Sequence, residues 1–372
     1  MPESAAPAPL APAPLDPASM ATTAAVTTPT TEPLRSVHTT TFPELLKQLG
    51  ISIAVTTYQA GKLLLLREDS GKLNTHFRGF IRPMGLAVTH GRIAVGTASE
   101  VWDFHNVPAV ATQLEPNGKH DACYLPRSAH FTGDILVHEM AWGGHDLWIV
   151  NTRFSCLCML DAIHSFVPRW RPPFISAFAA EDRCHLNGLA MIEGKPAFVT
   201  ALGVTDSARG WRENKRNGGV LMSVPSGEVI ADGLSMPHSP RWHGGHLWLL
   251  ESGTGTLGTV DQQTGRYQPM VELPGFTRGL DFCGRFAFVG LSQVRETAIF
   301  SDLPITERPE RNCGVWVVDV VEGKVVAFVH FEDAMQEIFA VQVLPGQRFP
   351  DLINDDVKTI ADSFVLPDDA IQ

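Results

Sequence analysis

The sequence contains no run approaching the roughly 18 apolar residues of a membrane-crossing helix, so no membrane is expected as a partner. It has no lysine- or arginine-rich stretch either, and its formal net charge is −11. A surface built to neutralise phosphates is therefore not expected, and nucleic acid is excluded as a partner. One local basic cluster, Arg209, Arg212, Lys215 and Arg216, reads as a solvated loop. No phosphate loop, nucleophile elbow or H-E-x-x-H helix is present. Gly253 to Gly258 fit G-x-G-x-x-G, but a strand rather than a helix follows, so this is a hairpin loop and no nucleotide cofactor is expected.

Cysteines are few and scattered. Cys156 and Cys158 lie on one face of a strand, yet no second pair completes a four-sulfur site. They and Cys123, Cys184, Cys283 and Cys313 read as free buried thiols, which suits a cytoplasmic protein. Residues 1–40 are mostly Ala, Pro, Thr and Ser, too poor in apolar surface to offset the entropy of ordering. A disordered leader is expected there, without a secretory signal, and Met20 is a second candidate start. Helical periodicity is scarce as well. TFPELLKQLG (41–50) is the best candidate, with Thr41 and Glu44 spaced as a capping box.

What the chain has in abundance is a repeated apolar hairpin. Its copies are GLAVTHGRIAVGTA (85–98), EMAWGGHDLWIVNT (139–152), GLAMIEGKPAFVTA (188–201), PRWHGGHLWLLESG (240–253) and GLDFCGRFAFVGLS (279–292). A weaker copy is FAVQVLPGQRFPDL (339–352). Third strands follow (EVWDF, CLCML, GVLMSV, TLGTV, GVWVVDV), then outer strands such as those within 227–234, 267–276 and 324–333. Four strands per repeat predict an all-β, six-bladed β-propeller over 41–360, with 361–372 as a C-terminal tail. The sixth repeat is incomplete. ISIAVTTY, KLLLLRED and NTHFRGF near the N-terminus lack a first strand, so they are expected to complete it and close the ring. Seven blades are the alternative.

The segments SIAVTTYQAGKLLLL, RPMGLA, HEMAW, LWIVNTRFSCLC, HLNGLA, PHSPRWHGGHLWLLESGTG, TRGLDF and CGVWVVDV together resemble a bacterial family of conserved hypothetical six-bladed propeller proteins, a domain of unknown function. The resemblance covers about residues 42–352 and implies the fold without an activity. In architecture the chain is also similar to propeller enzymes such as the peptidyl-amidoglycolate lyases, the lactonase and senescence-marker group, the streptogramin lyases and the quinone-dependent sugar dehydrogenases. All of these use one end of the axis.

Aligning the repeats gives one column before each first strand's apolar run: Met84, His138, Asn187, His238, Arg278 and Glu337. Arg82 and His185 stand two residues earlier, on the same side of an alternating strand. First strands line a propeller's channel, so these residues are expected to converge on the axis. Two chemistries fit them. His138, His185 and His238 could bind zinc or iron, with Glu337 as carboxylate or base and Arg278 holding an anionic group. Alternatively, one imidazole (His238 among them) abstracts a proton, Glu337 orients it or returns the proton, and Arg278 stabilises the anion. Arg82, Asn187, Arg153, Tyr58 and Gln293 are candidate substrate contacts, as are Gln59, Asn151 and Ser252. Long connections at 116–136, 203–219 and 292–313 lie on this face and are expected to carry function or dock a protein partner. The expected function is a metal-assisted lyase, hydrolase or oxidase acting on a small or peptide-like anion. The alternatives are a non-catalytic binding propeller and a polar plug that binds nothing.

Overall fold

A computed structural model of the chain describes residues 34–294, 301–332 and 334–370. Six antiparallel sheets form six blades in a ring. Blade I comprises Leu86–Thr89, Arg92–Gly96, Glu100–Asn106 and Ala122–Phe131 from axis to rim. Blade II comprises Val137–Gly143, Asp146–Asn151, Cys156–Met159 and Val167–Trp170. Blade III comprises Leu186–Ile192, Lys195–Ala201, Gly219–Ser223 and Val229–Leu234. Blade IV comprises Pro237–His243, His246–Glu251, Thr256–Val260 and Tyr267–Glu272, and blade V Phe276–Cys283, Phe286–Ser292, Cys313–Asp319 and Lys324–Phe331. Each innermost strand packs against the next, round to blade I.

Blade VI is shared between distant parts of the chain. Its inner strand is Ala340–Pro345, and its other three are Ile51–Thr57, Lys62–Asp69 and Lys72–Gly79. The flanking segments reach past it on both sides. Ser36–His38 pair with the rim strand of blade V, so the propeller begins inside the stretch expected to be leader. The rest of that leader, 1–33, lies outside the described residues. Pro350–Leu352, expected as the second half of a hairpin, instead runs parallel to the rim strand of blade I. The hairpin partner it would have needed is already supplied by Ile51–Thr57.

The strands are apolar on both faces because each blade is sandwiched between two others. Leu63 and Leu65 pack toward blade I, whereas Leu64 and Leu66 pack toward blade V. One buried cluster fills each of the six blade interfaces. The thiols of Cys156 and Cys158 belong to one of them, between blades I and II. All six cysteines are free, and all but Cys283 are buried. The helix Thr41–Leu49 packs Phe42 and Leu46 into the blade V–VI interface. Its predicted capping box does not form, because Thr41 Oγ1 donates to the Val326 carbonyl and Thr40 takes the cap position. Gly50 ends the helix in the left-handed conformation, which glycine adopts without steric cost.

A seventh apolar cluster stands above the blades. Leu202, Trp211, Met236, Phe276, Val294, Leu303 and Ile305 form a small core where the long connections of blades III and V meet. Arg216 donates to the Asp302 carbonyl across the same junction. The described parts of these connections therefore meet as a cap over blades III to V. No helix among the described residues is long and apolar enough to cross a membrane.

Candidate functional site

The predicted column converges. The His138 ring lies 5.3 Å from that of His185 and 5.4 Å from that of His238, centroid to centroid. Arg278 Nη2 donates to His138 Nε2 at 2.7 Å. His138, His238 and Asn187 are buried, whereas Arg278, Glu337, Tyr58 and His185 retain partial exposure.

How the backbone delivers these groups is itself informative. Arg82, Leu136, His185 and Met236 stand at the same repeat position, two residues before the column residue of blades I to IV. All four have φ between 48° and 52°. Non-glycine residues rarely enter this left-handed region, and each instance costs of order 1 kcal/mol or more. The kink turns each inner strand into the axis, and in two blades it also carries a charged or basic side chain there. Beside Arg278, Gly279 has φ 83°, and a Cβ on it would lie 2.8 Å from Val341 N. Its own N–H donates to Ser239 Oγ, which fixes the strand at the arginine.

Arg278 makes no ion pair among the described residues. Its guanidinium lies over the Phe339 ring, 3.6 Å from the centroid, and its Nε is buried without a partner. Burial pushes its pKa down to about 10, against the pull of Tyr58, Glu337 and Glu139. The Glu337 carboxylate lies beside the Tyr58 hydroxyl, and its Oε2 has no partner. Burial first, then the Glu337 carboxylate, raise the Tyr58 pKa, so the phenol stays protonated. Glu337 thus engages a tyrosine rather than orienting a histidine.

That orienting role falls to Asp182, which the column could not reveal. Its carboxylate accepts from His185 Nδ1 at 2.9 Å and from Trp211 Nε1 at 3.1 Å, and the Trp211 ring lies 4.5 Å from the imidazole. No hydrogen bond among the described residues engages His185 Nε2. His238 is held differently, with Nδ1 2.9 Å from both the Met236 carbonyl and Ser252 Oγ. Burial, then Arg278, holds the pKa of both His138 and His238 well below the usual histidine value, so both are neutral.

A three-histidine metal centre does not fit this arrangement. His138 Nε2 points its lone pair at the Arg278 guanidinium, 2.7 Å from Nη2, so that lone pair is already used. Among the described residues, no group of three or more His, Cys, Asp or Glu side chains is disposed to hold a metal ion. The expected ligands are brought together, but each is held by a partner of its own: His138 by Arg278, His185 by Asp182, and His238 by the Met236 carbonyl and Ser252.

The remaining candidates divide between mouth, scaffold and periphery. Arg82 and Arg153 stand at the mouth and share one carboxylate, Asp134, at 3.0 and 2.8 Å. Asn187 is structural, since its Nδ2 donates to the Pro237 carbonyl and its Oδ1 accepts from Thr200. Asn151 Oδ1 caps the next turn by accepting from Phe154 N–H. Gln59 Oε1 accepts from Gln336 N–H, beside Glu337. Gln293 lines a shallow polar pocket with Arg35, His330 and Glu332, toward the rim of blade V. Met84 packs in the blade VI–I interface. Gly253 and Gly255 lie in the turn between two strands of blade IV and Gly258 lies within the second of them, as a hairpin rather than a strand–helix turn requires.

Below the cluster the channel is plugged. Glu139 of blade II reaches Arg241 of blade IV at 2.7 Å, and Arg241 also donates to the Leu189 carbonyl of blade III. Asp281 of blade V accepts from Val343 N–H of blade VI at the same level.

Comparison with solved structures supports the architecture. A chain from the crystal structure of a nidogen/laminin complex is 10% identical with a TM-score of 0.51, covering 80% of this chain and 99% of that one. A protein of unknown function from Bacteroides caccae is 9% identical with a TM-score of 0.50, covering 79% and 98%. At such identities the likeness concerns the fold alone. No curated protein matches the chain. Residues 40–353 match a family profile over most of the ring, and the chain belongs to that family, described as Domain of unknown function (DUF4915).

Proposed function

We propose that the axial well binds a small carboxylate on Arg278 and moves a proton to and from it through His185. The observation that carries this reading is the half-buried Arg278 guanidinium, which has no ion-pair partner among the described residues. A guanidinium fork that stacks on an aromatic ring and has no direct ion pair among the described residues is a ready receptor for a carboxylate. His185 supports the proton-transfer part. Asp182 holds Nδ1–H, which leaves Nε2 as the acceptor, and a carboxylate at that position also stabilises the imidazolium that forms. In the forward step the C–H bond adjacent to the ligand carboxyl breaks and its proton passes to Nε2. The electron pair moves onto the ligand oxygens beside Arg278, and return of the proton completes the cycle.

The test uses a panel of small 2-hydroxy and 2-oxo acids. Exchange of their α-protons for solvent deuterium is followed by NMR, and binding by calorimetry. At least one acid is expected to bind and exchange, His185→Asn to slow exchange by about 10²-fold or more while binding persists, and Arg278→Ala to lose both. Binding that survives Arg278→Ala, or a panel in which nothing binds, overturns the reading.

A second reading, a propeller that docks a protein on this face, is favoured by four exposed apolar side chains there, Ile81, Phe131, Phe178 and Val204. One similar structure is that of a nidogen/laminin complex. Replacing Phe131 and Phe178 by serine separates the two, because only docking depends on them.

A further inference from the structure

We propose that the well takes a small dicarboxylate, with one end on Arg278 and the other on the paired Arg82 and Arg153 at the mouth. This rests on the carboxylate site proposed above and names its substrate class.

Arg82 and Arg153 come from different blades and converge on the single carboxylate of Asp134. Two cations share one negative charge, on a chain whose formal net charge is −11. Each guanidinium carries five N–H donors, and Asp134 takes one from each. The Nε of each arginine is buried without a partner, as is that of Arg278. Unmet buried donors are costly in a structural ion pair, and a second carboxylate would satisfy them.

Position supports the same assignment. The cluster of Trp211, Leu303 and Ile305 stands over blades III to V, whereas Arg82 and Arg153 belong to blades I and II. The Tyr58 phenol lies within the electrostatic field of both Arg278 and Arg82, so the two anchors are neighbours of one hydroxyl. Arg153 also ties the mouth to the proton-transfer pair, since its carbonyl accepts from Asp182 N–H at 2.9 Å. Asp134 is then a built-in competitor that neutralises the pair until a dianion arrives.

Calorimetric titration of the full chain at low ionic strength with acetate, malonate, succinate and glutarate tests this. At least one diacid is expected to bind about tenfold or more tightly than acetate. Arg82→Gln and Arg153→Gln are each expected to bring that ratio toward one. Asp134→Asn, which removes the competitor, is expected to raise it several-fold, a gain that misfolding cannot mimic. A wild-type ratio near one, or a preference that survives both arginine replacements, overturns the dicarboxylate assignment while acetate binding through Arg278 still stands. Absence of any binding that depends on Arg278 overturns the underlying site as well.

Discussion

Neutral histidines buried against an arginine make the axis sensitive to protons. Because folding depresses the pKa of His138 and His238, the unfolded chain takes up protons first as pH falls. Their contribution to stability is therefore complete above about 6.5 and is lost progressively below it, by about 1.4 kcal/mol per pH unit for each histidine. Thermal unfolding between pH 7 and 5 should show this loss, and His238→Asn should flatten it. The left-handed positions give a second expectation. Leu136→Val, conservative elsewhere, should cost about 1–2 kcal/mol in urea unfolding, because a β-branched side chain resists φ near 52°. The column of His138, His238 and Arg278 was legible in sequence because the repeat fixes its register. Asp182, Trp211 and Phe339 were not, since they lie in loops or outside the aligned column. The pairing of Glu337 with Tyr58 was hidden for another reason: the two residues are far apart in the chain and meet only when blade VI closes.

At the scale of strands, the seam beside blade VI is held by more than its ladder. Pro350–Leu352 brings Asp351 between His76 at 2.8 Å and Arg78 at 3.0 Å. Phe349 lies beneath the Arg67 guanidinium, 3.9 Å from its ring centroid. Burial works against the Asp351 carboxylate, but His76, Arg78 and Arg67 hold its pKa at about 2. Its contribution is thus present above the ordinary carboxylate range and fades as pH falls toward 2. Asp351→Ala removes the carboxylate that pairs Arg78 at this seam while Arg67 and Arg78 keep their carbonyl partners, so a loss of about 1–3 kcal/mol is expected in denaturant unfolding. The hairpins and the shared sixth blade were readable from turn glycines and alternating apolar runs. The rim pairings of Ser36–His38 and Pro350–Leu352 were not, because three-residue strands carry too little periodicity to announce a partner.

For the whole ring, Glu139 and Arg241 form a tie across the channel between blades II and IV. Glu139→Ala should cost about 3–5 kcal/mol by leaving Arg241 buried and uncompensated, whereas Glu139→Met combined with Arg241→Leu should recover most of it. The double replacement should leave carboxylate binding in place, since the tie lies below the well. Closure of the ring has a kinetic consequence too. Ala340 N–H bonds Thr56 across 284 residues of sequence, and Phe339, which underlies Arg278, enters the axis with that same strand. Loop-closure entropy must therefore be met before the last interface rewards it, which predicts slow refolding. Arg278 acquires its aromatic floor, and Glu337 its tyrosine, only at that final step. Recovery of ligand binding after dilution from denaturant should consequently lag behind recovery of strand content, so the well serves as a clock for completion of the ring.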